Sequence, residues 1–142
     1  MSRTRTAAVL GAAAAIAAPA ASALASTSHA TLWHNKADTV VCGVEIHAAS
    51  KPAKYLICSA KGIPKAKTGV GDPFVQIAKT GKAQLVLESQ RPFVGSQAKT
   101  IAGGDEWQRL GVTCTVGSGK TVSCQNSSKH GFKIGNGSYK SF

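Results

Sequence analysis

Acidic residues are what this chain has least of. Six Asp and Glu stand against 17 Lys and Arg in 142 residues, a formal charge of +11. None lies between Ala48 and Gly71, and none from Trp107 to Phe142. A glycosidase-type pair of carboxylates could be drawn only from Asp38, Glu45, Asp72, Glu88, Asp105 and Glu106, a thin supply for acid/base work. Aromatic residues are 6% of the chain. Trp33, Tyr55, Phe74, Phe93, Trp107, Phe132, Tyr139 and Phe142 fall mostly at alternating core positions, not in an exposed array on which bases could stack. No Gly-x-Ser-x-Gly elbow exists, and no window holds a 3.6-residue period long enough for an ordinary helix.

Long apolar runs are missing too, with one exception at the start. Ser2-Arg3-Thr4-Arg5 is a basic opening, Ala7 to Ala21 an Ala-rich apolar stretch, and Ala23-Leu24-Ala25 a small-x-small cleavage site. That order is expected of a secretory signal peptide over 1–25, cleaved near Ala25. The stretch is shorter than the roughly 20 residues of a membrane span, so no transmembrane anchor is expected. Cleavage leaves 117 residues with 15 bases against 6 acids. That length suits one domain and excludes a multidomain protein. Residues 26–38 are polar and weakly patterned, which predicts a flexible N-terminal segment before a single β domain over 39–142.

Cys42, Cys58, Cys114 and Cys124 all follow the cleavage site. In an oxidising, extracellular compartment two disulfides are expected, and four cysteines allow three pairings. The strand pattern prefers one of them. Val40, Cys42, Val44 and Ile46 alternate with Val41, Gly43, Glu45 and His47, as a half-buried strand requires. Folding the chain back about Ser50 sets Val44 opposite Leu56 and Cys42 opposite Cys58. Folding about Gly119 sets Val116 opposite Val122 and Cys114 opposite Cys124. Two hairpins reach the same coincidence, which favours Cys42–Cys58 and Cys114–Cys124. A third fold about Gly81 sets Ile77 against Leu85 and Val75 against Leu87. Asn136-Gly137 suits the positive φ angles of a tight turn, setting Ile134 against Tyr139. The fold class is therefore all-β: a small antiparallel, hairpin-built barrel or sandwich stapled by two disulfides.

Gly111-Val112-Thr113-Cys114, Val122-Ser123-Cys124-Gln125-Asn126, His130-Gly131-Phe132 and the terminal Tyr139 together resemble a family of small secreted actinobacterial proteins carrying a domain of unknown function. In that family a Cys strand, a Gly-x-Thr-Cys-x-Asn strand and a Gly-His-Gly-Phe turn recur near the C-terminus. Cys42 and Cys58 look like its first cysteine pair, and Lys129 stands where its turn has glycine. The resemblance implies secretion, disulfides and a small β domain. It implies no substrate.

Gly117-Ser118-Gly119-Lys120-Thr121 ends like a phosphate loop, but position 114 is Cys where that motif needs Gly, and a strand follows where it needs a helix. His29, His34, His47 and His130 have no metal-ligand spacing, so no metal and no cofactor are expected. Charge is the informative feature. Lys51, Lys54, Lys61, Lys65 and Lys67 fill one acid-free stretch, and Lys129, Lys133 and Lys140 stand in the other; these are the candidate anion-binding residues. Such a field attracts polyanions and weakens with salt. Thirteen of the 15 bases are Lys, whereas planar reading of guanine favours Arg, so no sequence-specific nucleic-acid binding is expected. The expected function is that of a secreted, non-enzymatic, monomeric β domain that binds an anionic cell-envelope surface or polymer, or another secreted protein. A small secreted hydrolase or hydrolase inhibitor is the alternative, with His130, Asp105 and Glu106 as the residues a pocket would have to gather.

Overall fold

A computed structural model of the protein describes residues 31–44, 53–64, 70–88, 98–117 and 120–142, with the strand pair at 27–28. The expected signal peptide lies outside the described residues. Twelve strands are described: β1 Thr27–Ser28, β2 Leu32–Asn35, β3 Val40–Val44, β4 Tyr55–Ala60, β5 Asp72–Ala78, β6 Gln84–Glu88, β7 Lys99–Ile101, β8 Glu106–Arg109, β9 Val112–Val116, β10 Thr121–Asn126, β11 Gly131–Gly135 and β12 Ser138–Ser141. They form two open six-stranded sheets, β6-β5-β4-β3-β2-β7 and β1-β8-β9-β10-β11-β12. The sheets do not close, so the architecture is a sandwich. Each inner face supplies the alternate residues of its strands to one shared core, the arrangement that period-2 patterning dictates.

Both cysteine hairpins have the expected register. Cys42 pairs with Cys58 and Val44 with Leu56; Cys114 pairs with Cys124 and Val116 with Val122. Both bridges are formed, and no described cysteine is free. Ile134 faces Tyr139 across Asn136 and Gly137, at φ of 52° and 72°. Between β9 and β10, Gly117 N donates to the carbonyl oxygen of Thr121, and a strand follows at Thr121.

Two expectations are corrected. The third hairpin pairs Val75 with Leu85 and Pro73 with Leu87, two residues away from the register centred on Gly81. A two-residue slip leaves every side chain on its own face, so hydrophobic pattern alone could not reject the wrong register. The segment 26–38 is no simple frayed end: residues 32–35 are β2, and Trp33 is fully buried. Its ring packs on Trp107 with centroids 5.8 Å apart. Fixing Asn35 completes the entry to β3. Its Oδ1 accepts from Thr39 N and Val40 N, and its Nδ2 donates to Thr39 Oγ1, so a buried amide braces a turn that Asp38 N closes on the Asn35 carbonyl oxygen.

The registers reveal a duplicated unit. Trp33 is opposite Cys42, which is opposite Cys58; Trp107 is opposite Cys114, which is opposite Cys124. Val-x-Cys-x-Val is the central strand of both. Leu56 and Val122 then face Ile77 and Ile134. The short leading strands are exchanged: β1 pairs in parallel with β8 of the second unit, and β7 pairs in parallel with β2 of the first. The two bridges meet in the middle, where the Sγ atoms of Cys42, Cys58 and Cys124 lie within 4.8 Å of one another.

Candidate anion-binding face

With the skeleton duplicated, each outward position has a counterpart. One row across the first sheet reads Leu32, Gly43, Ile57, Gln76, Gln84. The corresponding row of the second reads Glu106, Thr115, Ser123, Lys133, Lys140. Gln76 donates its amide to Gln84 Oε1 at 3.1 Å. At the equivalent place Lys133 and Lys140 stand directly opposite, both exposed. Like charges at directly opposed positions repel, so this pair is an electrostatic cost that an anion lying across it would relieve.

The neighbouring row extends the contrast. His34, Val41 and Ser59 of the first sheet correspond to Gln108, Thr113 and Gln125 of the second. Gln108 Nε2 donates to Thr113 Oγ1 at 3.1 Å, and Gln125 Nε2 donates to the Lys129 carbonyl oxygen at 3.3 Å. Gly131 leaves room for the terminal aromatic: a Cβ built on it would meet Phe142 Cζ at 2.6 Å, and the two residues exchange backbone hydrogen bonds. The outer face of the second sheet is thus amide, hydroxyl and ammonium, with one exposed ring and, on β8 at the far end of the lysine row, the carboxylate of Glu106. The first carries Ile57 and Phe74, only 2% and 3% exposed.

At the ends of the β3–β4 and β9–β10 ladders lie two grooves in equivalent places. The first, about 710 Å³, includes Asp38, Val41, Ser59, Lys61, Asp72 and Phe74 in its walls. The second, about 580 Å³, includes Gln108, Arg109, Thr113, Gln125, Ser127 and Lys129. Its floor is fixed by Asn126, which is 4% exposed. Asn126 Nδ2 donates to the carbonyl oxygens of Ala78 and Gly81, and its Oδ1 accepts from Ser128 N and His130 N. Asn126-Ser127-Ser128 has the form of a glycosylation sequon, but the amide it would modify is buried and bonded at both ends.

Of the lysines singled out in the sequence, Lys133 and Lys140 are brought together and Lys129 lines the second groove. Lys61 lines the first groove, and Lys54 is exposed at the approach to β4. Lys51, Lys65 and Lys67 lie outside the described residues. His130 uses its backbone on Asn126. It is about three strand spacings, some 14 Å, across the sheet from Glu106, and neither groove gathers it with Asp105 or Glu106. Arg109 shares the acid-free stretch with the lysines; the sequence reasoning missed Gln108, Thr113 and Gln125 as their companions. Aligning the two Val-x-Cys-x-Val strands and the tryptophan before each would have exposed them.

Among the described residues no helix is long and apolar enough to cross a membrane. Comparison with family models, with curated proteins and with solved structures finds no match to the chain.

Proposed function

We propose that the protein is a secreted, non-enzymatic module that binds an anionic polymer of the cell envelope through the outer face of its second sheet. One observation carries this reading: Lys133 and Lys140 are directly opposed on an exposed face, in a stretch with no acid after Glu106. An unneutralised like-charge pair is costly alone and favourable under a polyanion. The two disulfides fit an oxidising compartment, where thiols do not persist. Binding of this kind is electrostatic at long range, so it falls as salt rises. The expected result is retention on purified cell wall or heparin at low ionic strength, with earlier salt elution of the Lys133→Gln/Lys140→Gln variant. Passage of the unaltered protein in the void volume at low salt refutes the reading.

A hydrolase is the second reading, and one cluster favours it. His34 Nε2 and Thr100 Oγ1 are hydrogen-bonded at 3.0 Å, while His34 Nδ1 lies 3.4 Å from Asp38 Oδ1. That is the hydroxyl, imidazole, carboxylate order of an acyl-transfer relay. His34 Nδ1 is also 3.1 Å from the carbonyl oxygen of Asn35, and Asp38 is 81% exposed, so the same contacts tie β2 to β7 and its own turn. Ester cleavage abolished by Thr100→Ala supports the relay; cleavage unchanged in that variant removes it.

A further inference from the structure

The two grooves occupy the same place in the two units, and they differ in chemistry. Val41 corresponds to Thr113, Ser59 to Gln125, and Ala60 to Asn126. Asp38 and Asp72 line the first groove beside apolar Ile63 and Phe74. Arg109 and Lys129 line the second, with no carboxylate among its residues. We propose that the second groove is a recognition subsite for an anionic sugar or polyol unit. Arg109 and Lys129 hold the charge, and Gln108, Thr113, Gln125 and Ser127 engage the hydroxyls. This rests on the reading of the second sheet as an anion-binding face, and adds to it the chemical class of the bound unit.

Three observations support the assignment. The first is the mixture of groups. A bare polyanion needs only point charges, whereas the groove adds amides and hydroxyls, which both donate and accept as sugar hydroxyls do. A guanidinium beside them presents a planar fork suited to phosphate or carboxylate. The volume of about 580 Å³ is within the ordinary range for a small-ligand cleft.

The second is backbone conformation. Two of the residues lining the groove, Leu110 and Lys129, have φ of 52° and 66°. Left-handed backbone disfavours any residue with a Cβ, and glycine would hold the Lys129 turn without that penalty. Such costs concentrate where function requires them. At position 129 the cost puts a cation at the groove.

The third is rigidity. Four hydrogen bonds fix Asn126, Ser127 Oγ donates to the Lys79 carbonyl oxygen at 2.7 Å, and Gln108 and Gln125 are each held by a neighbour. Groups fixed before binding lose little entropy on binding. The lysine row lies on the same face, two residues or about 7 Å farther along the strands, within reach of a polymer seated in the groove.

The test is titration of the full-length secreted protein with short oligomers of glycerol phosphate and of galacturonate, followed by calorimetry and by amide chemical shifts. Binding of either is expected, with the shifts confined to the second groove, and the tighter of the two names the anion. Lys129→Gly is expected to weaken binding at least tenfold while raising the melting temperature by a few degrees, so misfolding cannot explain the loss. Arg109→Gln should weaken it further, and Lys61→Gln in the first groove should leave it unchanged. Unchanged affinity in Lys129→Gly, or shifts at the first groove, overturns the subsite. If Lys133→Gln/Lys140→Gln then still loses retention on cell wall, the broader reading stands without it; if neither variant matters, both fail. Equal binding to phosphatidylglycerol vesicles that is insensitive to Lys129→Gly also overturns it.

Discussion

The two units of this protein share a skeleton and almost nothing of their surfaces. Each has a tryptophan opposite a cysteine, a disulfide across the central hairpin and an isoleucine on the next strand facing inward. Outward, one unit shows Leu32, Val41, Ile57 and Phe74, while the other shows Glu106, Thr113, Ser123 and a glycine under an aromatic ring. The difference teaches which residues the fold needs. Inward positions are held by close packing and burial, so they recur. Outward positions answer to whatever lies beyond the sheet, and there the second unit has taken amides, hydroxyls and lysines.

Removing one bridge at a time is the strongest test of the shared skeleton. The chain-entropy relation gives about 3.1 kcal/mol for the Cys42–Cys58 bridge and about 2.7 kcal/mol for Cys114–Cys124, from sequence separations of 16 and 10. Replacing each pair by alanine should lower the denaturant midpoint by nearly the same amount, the first slightly more. A threefold disparity between the two would break the equivalence of the units. It would mean that one hairpin is organised by something other than its bridge.

A smaller effect distinguishes the units. Asn126 occupies the place of Ala60, but it satisfies Ala78 O, Gly81 O, Ser128 N and His130 N at once. Asn126→Ala makes the second unit resemble the first there and strands those groups. The expected loss is about 2 kcal/mol, read from the urea midpoint, with amide exchange accelerated at Ser128 and His130. A loss below about 0.5 kcal/mol would show that water replaces the side chain and that the groove floor is not rigid.

How much of this was legible beforehand follows from what sets each feature. The bridged hairpins were legible because cysteine and hydrophobic pattern had to agree on one register. The 72–88 hairpin was placed two residues out because period-2 patterning fixes the face and leaves even slips open. The strand at 32–35 was missed because only Leu32 and Trp33 mark it, and one of its two partners, β7, lies more than sixty residues along the chain. The duplication was hidden by unequal spacing. Trp33 precedes Cys42 by nine residues and Trp107 precedes Cys114 by seven, so no fixed period exists. The exchange of β1 and β7 leaves no local trace at all, since parallel pairing is decided by the assembled core. Of the candidate site, Lys133 and Lys140 were legible from charge, and their opposition follows from the Ile134–Tyr139 register that the Asn136-Gly137 turn sets; what stayed hidden was the groove beside them, because its residues come together only through the pairing of β8, β9 and β10.

The smallest expected effect bears on the comparison most directly, because the molecule supplies its own control. Gln76 and Gln84 bond to each other where Lys133 and Lys140 repel. Installing the first unit's answer in the second, as Lys133→Gln/Lys140→Gln, should raise stability by a few tenths of a kcal/mol at low salt. The gain should shrink as ionic strength rises, because the Debye length falls from about 10 Å at 0.1 M to about 3 Å at 1 M and only then becomes shorter than the spacing of opposed residues. The parent should correspondingly gain stability with added salt more steeply than the variant. Retention on an anionic matrix should move the opposite way, falling in the variant that is more stable. If the variant proves less stable at every salt concentration, the lysine stems are packing on their neighbours and the pair is structural. If it is more stable and loses retention, the repulsion is the cost of a surface kept ready for an anion.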